Sequence, residues 1–184
     1  MKKFSLLILA ILLAFSAVQA QKKKAKNGKS TLFSHTAAED IKAESNSVTS
    51  LLNTATGDLI FVVPVQTYKF KKSLMQKHFN QSRFMDSKNH PKIKFKGKIT
   101  NLSAVNFSKD GKYNVNVSGN ITIRGTTKPQ NATATLTVAG GTIKGYSAFS
   151  VKNIGQFGVG KPKNRKKKGN VADNIDCKVW VTYK

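Results

Sequence analysis

The strongest signal along this chain is a two-residue alternation of apolar and polar positions, the mark of half-buried β-strands. In KIKFKGKI (Lys92–Ile99), Ile93, Phe95, Gly97 and Ile99 share one face and lysines occupy the other. Tyr113–Ile123 repeats the pattern, with Tyr113, Val115, Val117, Gly119, Ile121 and Ile123 opposite Asn114, Asn116, Ser118, Asn120 and Thr122. Ala132, Ala134, Leu136 and Val138 alternate with Thr and Ala, and Ile175, Cys177, Val179, Val181 and Tyr183 with polar residues and Trp180. Leu59–Val65 reads as a further strand, opened by Thr56-Gly57-Asp58. Asp110-Gly111 and Gly140-Gly141 have the chemistry of short hairpin turns, because both dipeptides tolerate positive φ.

One segment departs from the rule. In KSLMQKHFN (Lys72–Asn80), Leu74, Met75, His78 and Phe79 recur at helical spacing, which predicts a short capping helix starting at Ser73. Many antiparallel strands with one oily face must close around that face, as a sandwich or a barrel, and a barrel also removes exposed edges. The lysine face settles the orientation. A lysine on the lipid side of a membrane barrel costs ~2–4 kcal/mol at mid-bilayer, so this face meets water and the oily face lines the interior. The expected fold is all-β, a water-soluble antiparallel barrel or sandwich.

Charge and the N-terminus add compartment and surface. The 184 residues carry 32 Lys and Arg against 8 Asp and Glu, a formal charge of +24. Met1-Lys2-Lys3, the apolar run Phe4–Phe15 and the small residues of Ser16–Ala20 form the pattern of a secretory signal peptide cut after Ala20. The apolar run is short for a span, which needs ~20 residues, and no Cys follows the cut for lipid attachment. Three divisions follow: a signal peptide over 1–20, a basic flexible tail over 21–30 without apolar periodicity, and a barrel domain over 31–184, opening with a strand over Leu32–Thr36. A second basic run, KPKNRKKK (Lys161–Lys168), reads as an exposed loop. The expected site of action is the periplasm or the secreted space.

Candidate chemistry is sparse. A single cysteine excludes an intrachain disulfide framework and a Cys-rich zinc site. His35, His78 and His90 lack metal-ligand spacing, with a His35–His78 pair as the one remaining metal option. His78 is a packing residue or a hydrogen-bond partner for a ligand head group, and His90, before Pro91, is a turn residue. Gly-x-Ser-x-Gly does not occur, and Cys177 falls on an apolar face, where thiols are inert. Asp86 is expected to hold backbone amides in a turn. No cofactor or metal is expected, and the chain reads as a binding protein rather than an enzyme. Asn-x-Ser/Thr triplets at Asn80, Asn101, Asn106, Asn120 and Asn131 are more simply polar strand faces than glycan sites. The basic runs read as solvated surface first and anionic-membrane contacts second. Export and the lack of an aromatic-rich RNA motif argue against nucleic acid.

Two motifs carry a family resemblance. Phe84-Met85-Asp86 followed by His90-Pro91-Lys92-Ile93-Lys94-Phe95 resembles the F-x-D…Y-P-x-I-x-F pattern of YceI-like polyisoprenoid-binding proteins, with His90 in the place of Tyr. VSGNITIRGTTKP (Val117–Pro129) resembles their V-x-G-x-L-T-I-x-G-V-T-K-P, and His78 matches a helix-borne His of the family. The resemblance implies an extended, lipocalin-like antiparallel barrel in the periplasm with an isoprenoid chain in its lumen. The wall would then be formed by Phe61, Val63, Phe70, Leu74, His78, Phe79, Phe84, Phe95, Ile99, Val117, Ile121, Leu136 and Phe149. Gly97, Gly119, Ala132, Ala134, Gly145 and Ser147 would leave room beside them. The partner is a polyisoprenoid or other long-chain apolar lipid. The other reading is a cationic protein on anionic envelope surfaces, its barrel a scaffold; a lipid hydrolase or isomerase would need a reactive polar residue in the lumen. Oligomeric state stays open, a dimer included.

Overall fold

The computed structural model describes residues 22–36, 39–160 and 172–184. The expected signal peptide and the Lys161–Lys168 run lie outside them. Nine strands form one sheet: β1 (Lys22–His35), β2 (Asp40–Asn53), β3 (Asp58–Pro64), β4 (Lys69–Phe70), β5 (Lys92–Ile99), β6 (Gly111–Ile123), β7 (Thr126–Ala139), β8 (Thr142–Val151) and β9 (Ile175–Tyr183). One α-helix, α1 (Ser73–Asn80), follows β4. The strand order is β1-β9-β8-β7-β6-β5-β3-β2, and β1 pairs with β2 to close the ring. The result is an eight-stranded antiparallel barrel of lipocalin-like fold, with the two-residue β4 added beside β2.

Closure follows from the alternation. Each strand turns its small and apolar residues inward, and Ile99, Val115, Leu136, Ile143 and Tyr183 are almost fully buried while the lysines of β5 stay exposed. The Gly140-Gly141 turn forms as expected, both glycines at positive φ (53° and 75°), the primed geometry that suits the right-handed twist of a hairpin. Arg124-Gly125 does the same between β6 and β7, at φ 49° and 76°.

Two expectations are corrected. Residues 22–30 are the first part of β1, not a flexible tail, and pair with β2 from Lys22↔Asn53 onward. Their inward positions are Ala25, Gly28 and Ser30, too small to register as an apolar pattern, and a bulge at Asn27 (φ 58°) shifts the alternation midway. Asp110-Gly111 is not a hairpin turn. Residues 100–110 form a longer connection containing a 3-10 turn (Leu102–Ala104), and Gly111 already pairs with Val138 as the first residue of β6. Helix α1 starts at Ser73 as expected, with Lys72 as its N-cap residue and no side-chain cap.

Candidate functional site: an apolar lumen with one polar mouth

The inward faces do not fill the barrel. They enclose a cavity of ≈ 570 Å³ that runs from the α1 end, past Phe95 and Val117 at mid-barrel, to Ile99 and Tyr183 at the other end. Every wall residue expected from the sequence lines this cavity: Phe61, Val63, Phe70, Leu74, His78, Phe79, Phe84, Phe95, Ile99, Val117, Ile121, Leu136 and Phe149. Phe61 and Phe95 meet edge to face with centroids 6.3 Å apart, and Phe79 packs on Phe70 at 4.8 Å and on Tyr68 at 5.8 Å. Such aromatic pairs favour tilted contacts and give the wall a fixed shape.

The small inward residues divide into two groups. Ala132, Ala134, Gly145 and Ser147 line the cavity. Gly97 and Gly119 do not create free space, since the Phe95 ring lies over both of them. These glycines let an aromatic ring lie flat on the wall, which a pattern of residue sizes cannot reveal.

The mouth lies at the α1 end. Leu74, 60% exposed, sits there with Met75 and His78 of α1, and the ion pair of Lys72 with Glu39 also lines the cavity. His78 stacks on Phe84 with centroids 6.3 Å apart, so its packing role is realised. His90 precedes β5 as expected, but the carboxylate of Asp86 accepts from Nδ2 of Asn89 rather than from backbone amides. Asp86 itself stands at φ 48°. Beside the mouth, Ile154, Phe157 and Val159 pack with Val65 and Met85 into a second apolar cluster that covers part of the barrel end.

Two buried phenols of the wall are bonded to serines. The Tyr68 hydroxyl lies 2.9 Å from Ser30 Oγ, and that of Tyr183 lies 2.7 Å from Ser50 Oγ. Burial raises both phenols, Tyr183 to about 12, against the opposing effect of the serine hydrogen bonds. Burial also pushes the Cys177 thiol up to about 12, with the charge of Asp176 adding to it. All three groups are therefore neutral at ordinary pH, and the wall offers no charge in its depth. Ser30 belongs to the segment read as a basic tail, and Tyr68 follows a 3-10 turn (Val65–Thr67) that carries no alternation. Among the described residues no cluster of three or more His, Cys, Asp or Glu could hold a metal ion. No helix among them is long and apolar enough to cross a membrane.

Known structures share this architecture. A polyisoprenoid binding domain from Saccharophagus degradans, implicated in plant cell wall breakdown, matches with a TM-score of 0.72 at 7% identity, over 89% of this chain and 98% of that one. BcnA of Burkholderia cenocepacia matches with a TM-score of 0.68 at 17% identity, over 84% and 95% of the two chains. A Campylobacter jejuni YceI protein gives 0.59 at 17% identity, over 82% and 88%. At these identities the likeness is one of fold. No curated protein matches the sequence. The profile of the YceI-like domain matches residues 14–183, nearly the whole chain, and the protein therefore belongs to the YceI-like family.

Proposed function

We propose that this chain is an exported lipid-binding protein that holds a long apolar chain of polyisoprenoid type in its lumen, as a carrier or buffer. The observation that carries the reading is the cavity itself, ≈ 570 Å³ of apolar space running the length of the barrel with polar groups at one mouth. That volume lies within the ~300–1,000 Å³ usual for ligand sites. Transfer of a hydrocarbon chain into it is favoured by about 25 cal/mol per Å² of apolar surface removed from water, and no reaction is needed. The S. degradans relative, itself a polyisoprenoid binding domain, supports the same ligand class. The residues assigned to contact are those named above, from Phe61 to Phe149, with Lys72, Glu39 and His78 nearest the head group.

Binding without turnover agrees with the wall chemistry. Tyr68 and Tyr183 are bonded to serines, and the Cys177 thiol is held un-ionised. For export, cleavage after Ala20 would leave a single residue ahead of β1, so the mature chain would enter the barrel at once. N-terminal sequencing of the mature protein should begin at Gln21.

Native mass spectrometry after gentle purification, followed by lipid extraction, tests the cargo. A co-purifying apolar molecule is expected. Ligand-free protein that also takes up no added polyprenol removes the reading.

The second reading, attachment to anionic surfaces, rests on Lys92, Lys94, Lys96 and Lys98. They form an exposed row on the outer face of β5, and none takes part in an ion pair among the described residues. Each lysine near an anionic membrane gains ~1 kcal/mol. Retention on anionic vesicles that vanishes with added salt would favour it.

A further inference from the structure

The barrel wall has a seam. β7 and β8 pair only from Ala134↔Ser147 to Ala139↔Thr142. Beyond that point, residues 126–133 of β7 are paired with β6 alone, and residues 148–151 of β8 with β9 alone. A cleft of ≈ 410 Å³ lies there, lined by Pro129–Ala132 and Ala148–Lys152 with Gln156 and Phe157. Successive strand residues point to opposite faces of a sheet, so a cleft lined by consecutive residues of both strands borders both faces of the wall. Four of its residues, Gln130, Ala132, Phe149 and Val151, also line the central cavity.

The seam is held open by its own side chains. Ser147 Oγ donates to the Thr133 carbonyl at 2.7 Å, and so occupies the acceptor that the next rung of the ladder would use. In an antiparallel strand the main-chain groups of alternate residues face the same neighbour, so Asn131 and Pro129 also face the seam. The Asn131 carbonyl accepts from Gln130 Nε2 at 2.8 Å, and Pro129 has no N–H to offer. An edge blunted in this way is a poor template for another strand. A hydrocarbon chain needs no hydrogen bonds and suits the apolar pair Ala132 and Phe149. On the outer face of β8 and β9, within the paired part of β8, Tyr146 and Trp180 stand exposed with centroids 5.4 Å apart, and Tyr146 also borders the central cavity.

We propose that this β7–β8 seam is a side portal through which the apolar chain of the ligand enters and leaves the lumen. The proposal rests on the lipid-binding reading and assigns its route.

The test uses the mature full-length chain, with cis-parinaric acid as a fluorescent long-chain probe and stopped-flow detection of uptake. Asn131→Cys, Leu74→Cys and Thr182→Cys place a single exposed thiol at the seam, at the end mouth and on the outer face of β9. Buried Cys177 does not compete for a bulky maleimide. The label at position 131 is expected to slow uptake by about tenfold or more while leaving the final amplitude within about twofold, and the label at 182 to change neither. Unchanged rates with a label at 131, or slowing by the label at 74 alone, overturn the portal and leave the cargo reading standing. No uptake of probe by the unlabelled chain overturns both.

Discussion

Gly97 and Gly119 face each other across β5 and β6, and the ring of Phe95 occupies the space where either would carry a side chain. A Cβ on Gly97 would stand 2.6 Å from Phe95 Cζ, and one on Gly119 would stand 2.7 Å from it and 2.5 Å from the Gly97 Cα. The pair therefore serves the lumen indirectly. It lets an aromatic side chain lie along the wall instead of projecting across the cavity.

Gly119→Ala should destabilise the fold by ~1–3 kcal/mol, the usual range for overpacking. Part of the clash is with backbone, at Gly97 Cα and Lys96 O, so trimming Phe95 would not relieve it. Urea unfolding of Gly119→Ala and of Gly119→Ala/Phe95→Ala checks this, and full recovery in the double variant would contradict it.

Lumen volume should control occupancy more than stability. Ala134 lines the cavity from β7, paired with Ser147 of β8 and Val115 of β6. Ala134→Phe is expected to fill space that a lipid tail needs and to lower probe affinity about tenfold or more, roughly 1.4 kcal/mol. The melting temperature should shift much less than for Gly119→Ala. Equilibrium titration with a long-chain fluorescent lipid, together with thermal melts, reads both effects.

The Tyr68–Ser30 bond ties the segment after β3 to β1 inside the wall. Tyr68→Phe removes one buried partner and leaves the Ser30 hydroxyl without it, at a cost of about 1–3 kcal/mol. Tyr68→Phe/Ser30→Ala removes both and should recover part of that loss. Denaturant unfolding of the two variants gives the difference.

Alkaline pH should weaken the fold through buried acids. Cys177 and Tyr183 have folded pKa values of about 12, above their ordinary values of 9.0 and 10.0, so the unfolded chain releases these protons first. The stability they contribute is complete below pH 9 and is lost as pH rises towards 12. The slope is on the order of 1.4 kcal/mol per pH unit for each group that is ionised only in the unfolded state. Tyr68, also raised by burial, adds to the loss at the upper end. Unfolding midpoints at pH 8, 10 and 11 test the trend, and Cys177→Ala should flatten its first part. In the folded chain at pH 8, Cys177 should stay unreactive towards Ellman's reagent until denaturant is added.

Much of this protein was legible in its sequence because a barrel strand repeats a simple rule. Ile93, Phe95, Val117, Ile121 and Leu136 alternate with polar residues, which identifies an inward face, and the lysines opposite turn the other face to water. Those two facts determine an all-β shell with an apolar interior and name most of its inner wall. Where inward residues are small or the alternation slips, the signal fails. Ala25, Gly28 and Ser30, with the bulge at Asn27, were indistinguishable from a basic tail for that reason. Only the tertiary structure decided that β1 begins at Lys22, that Phe95 lies over Gly97 and Gly119, and that β7 and β8 part beyond Ser147. Alternation says which way a side chain points. It does not say how far apart two facing walls or two neighbouring strands will stand, and that separation is what makes a lumen and its openings.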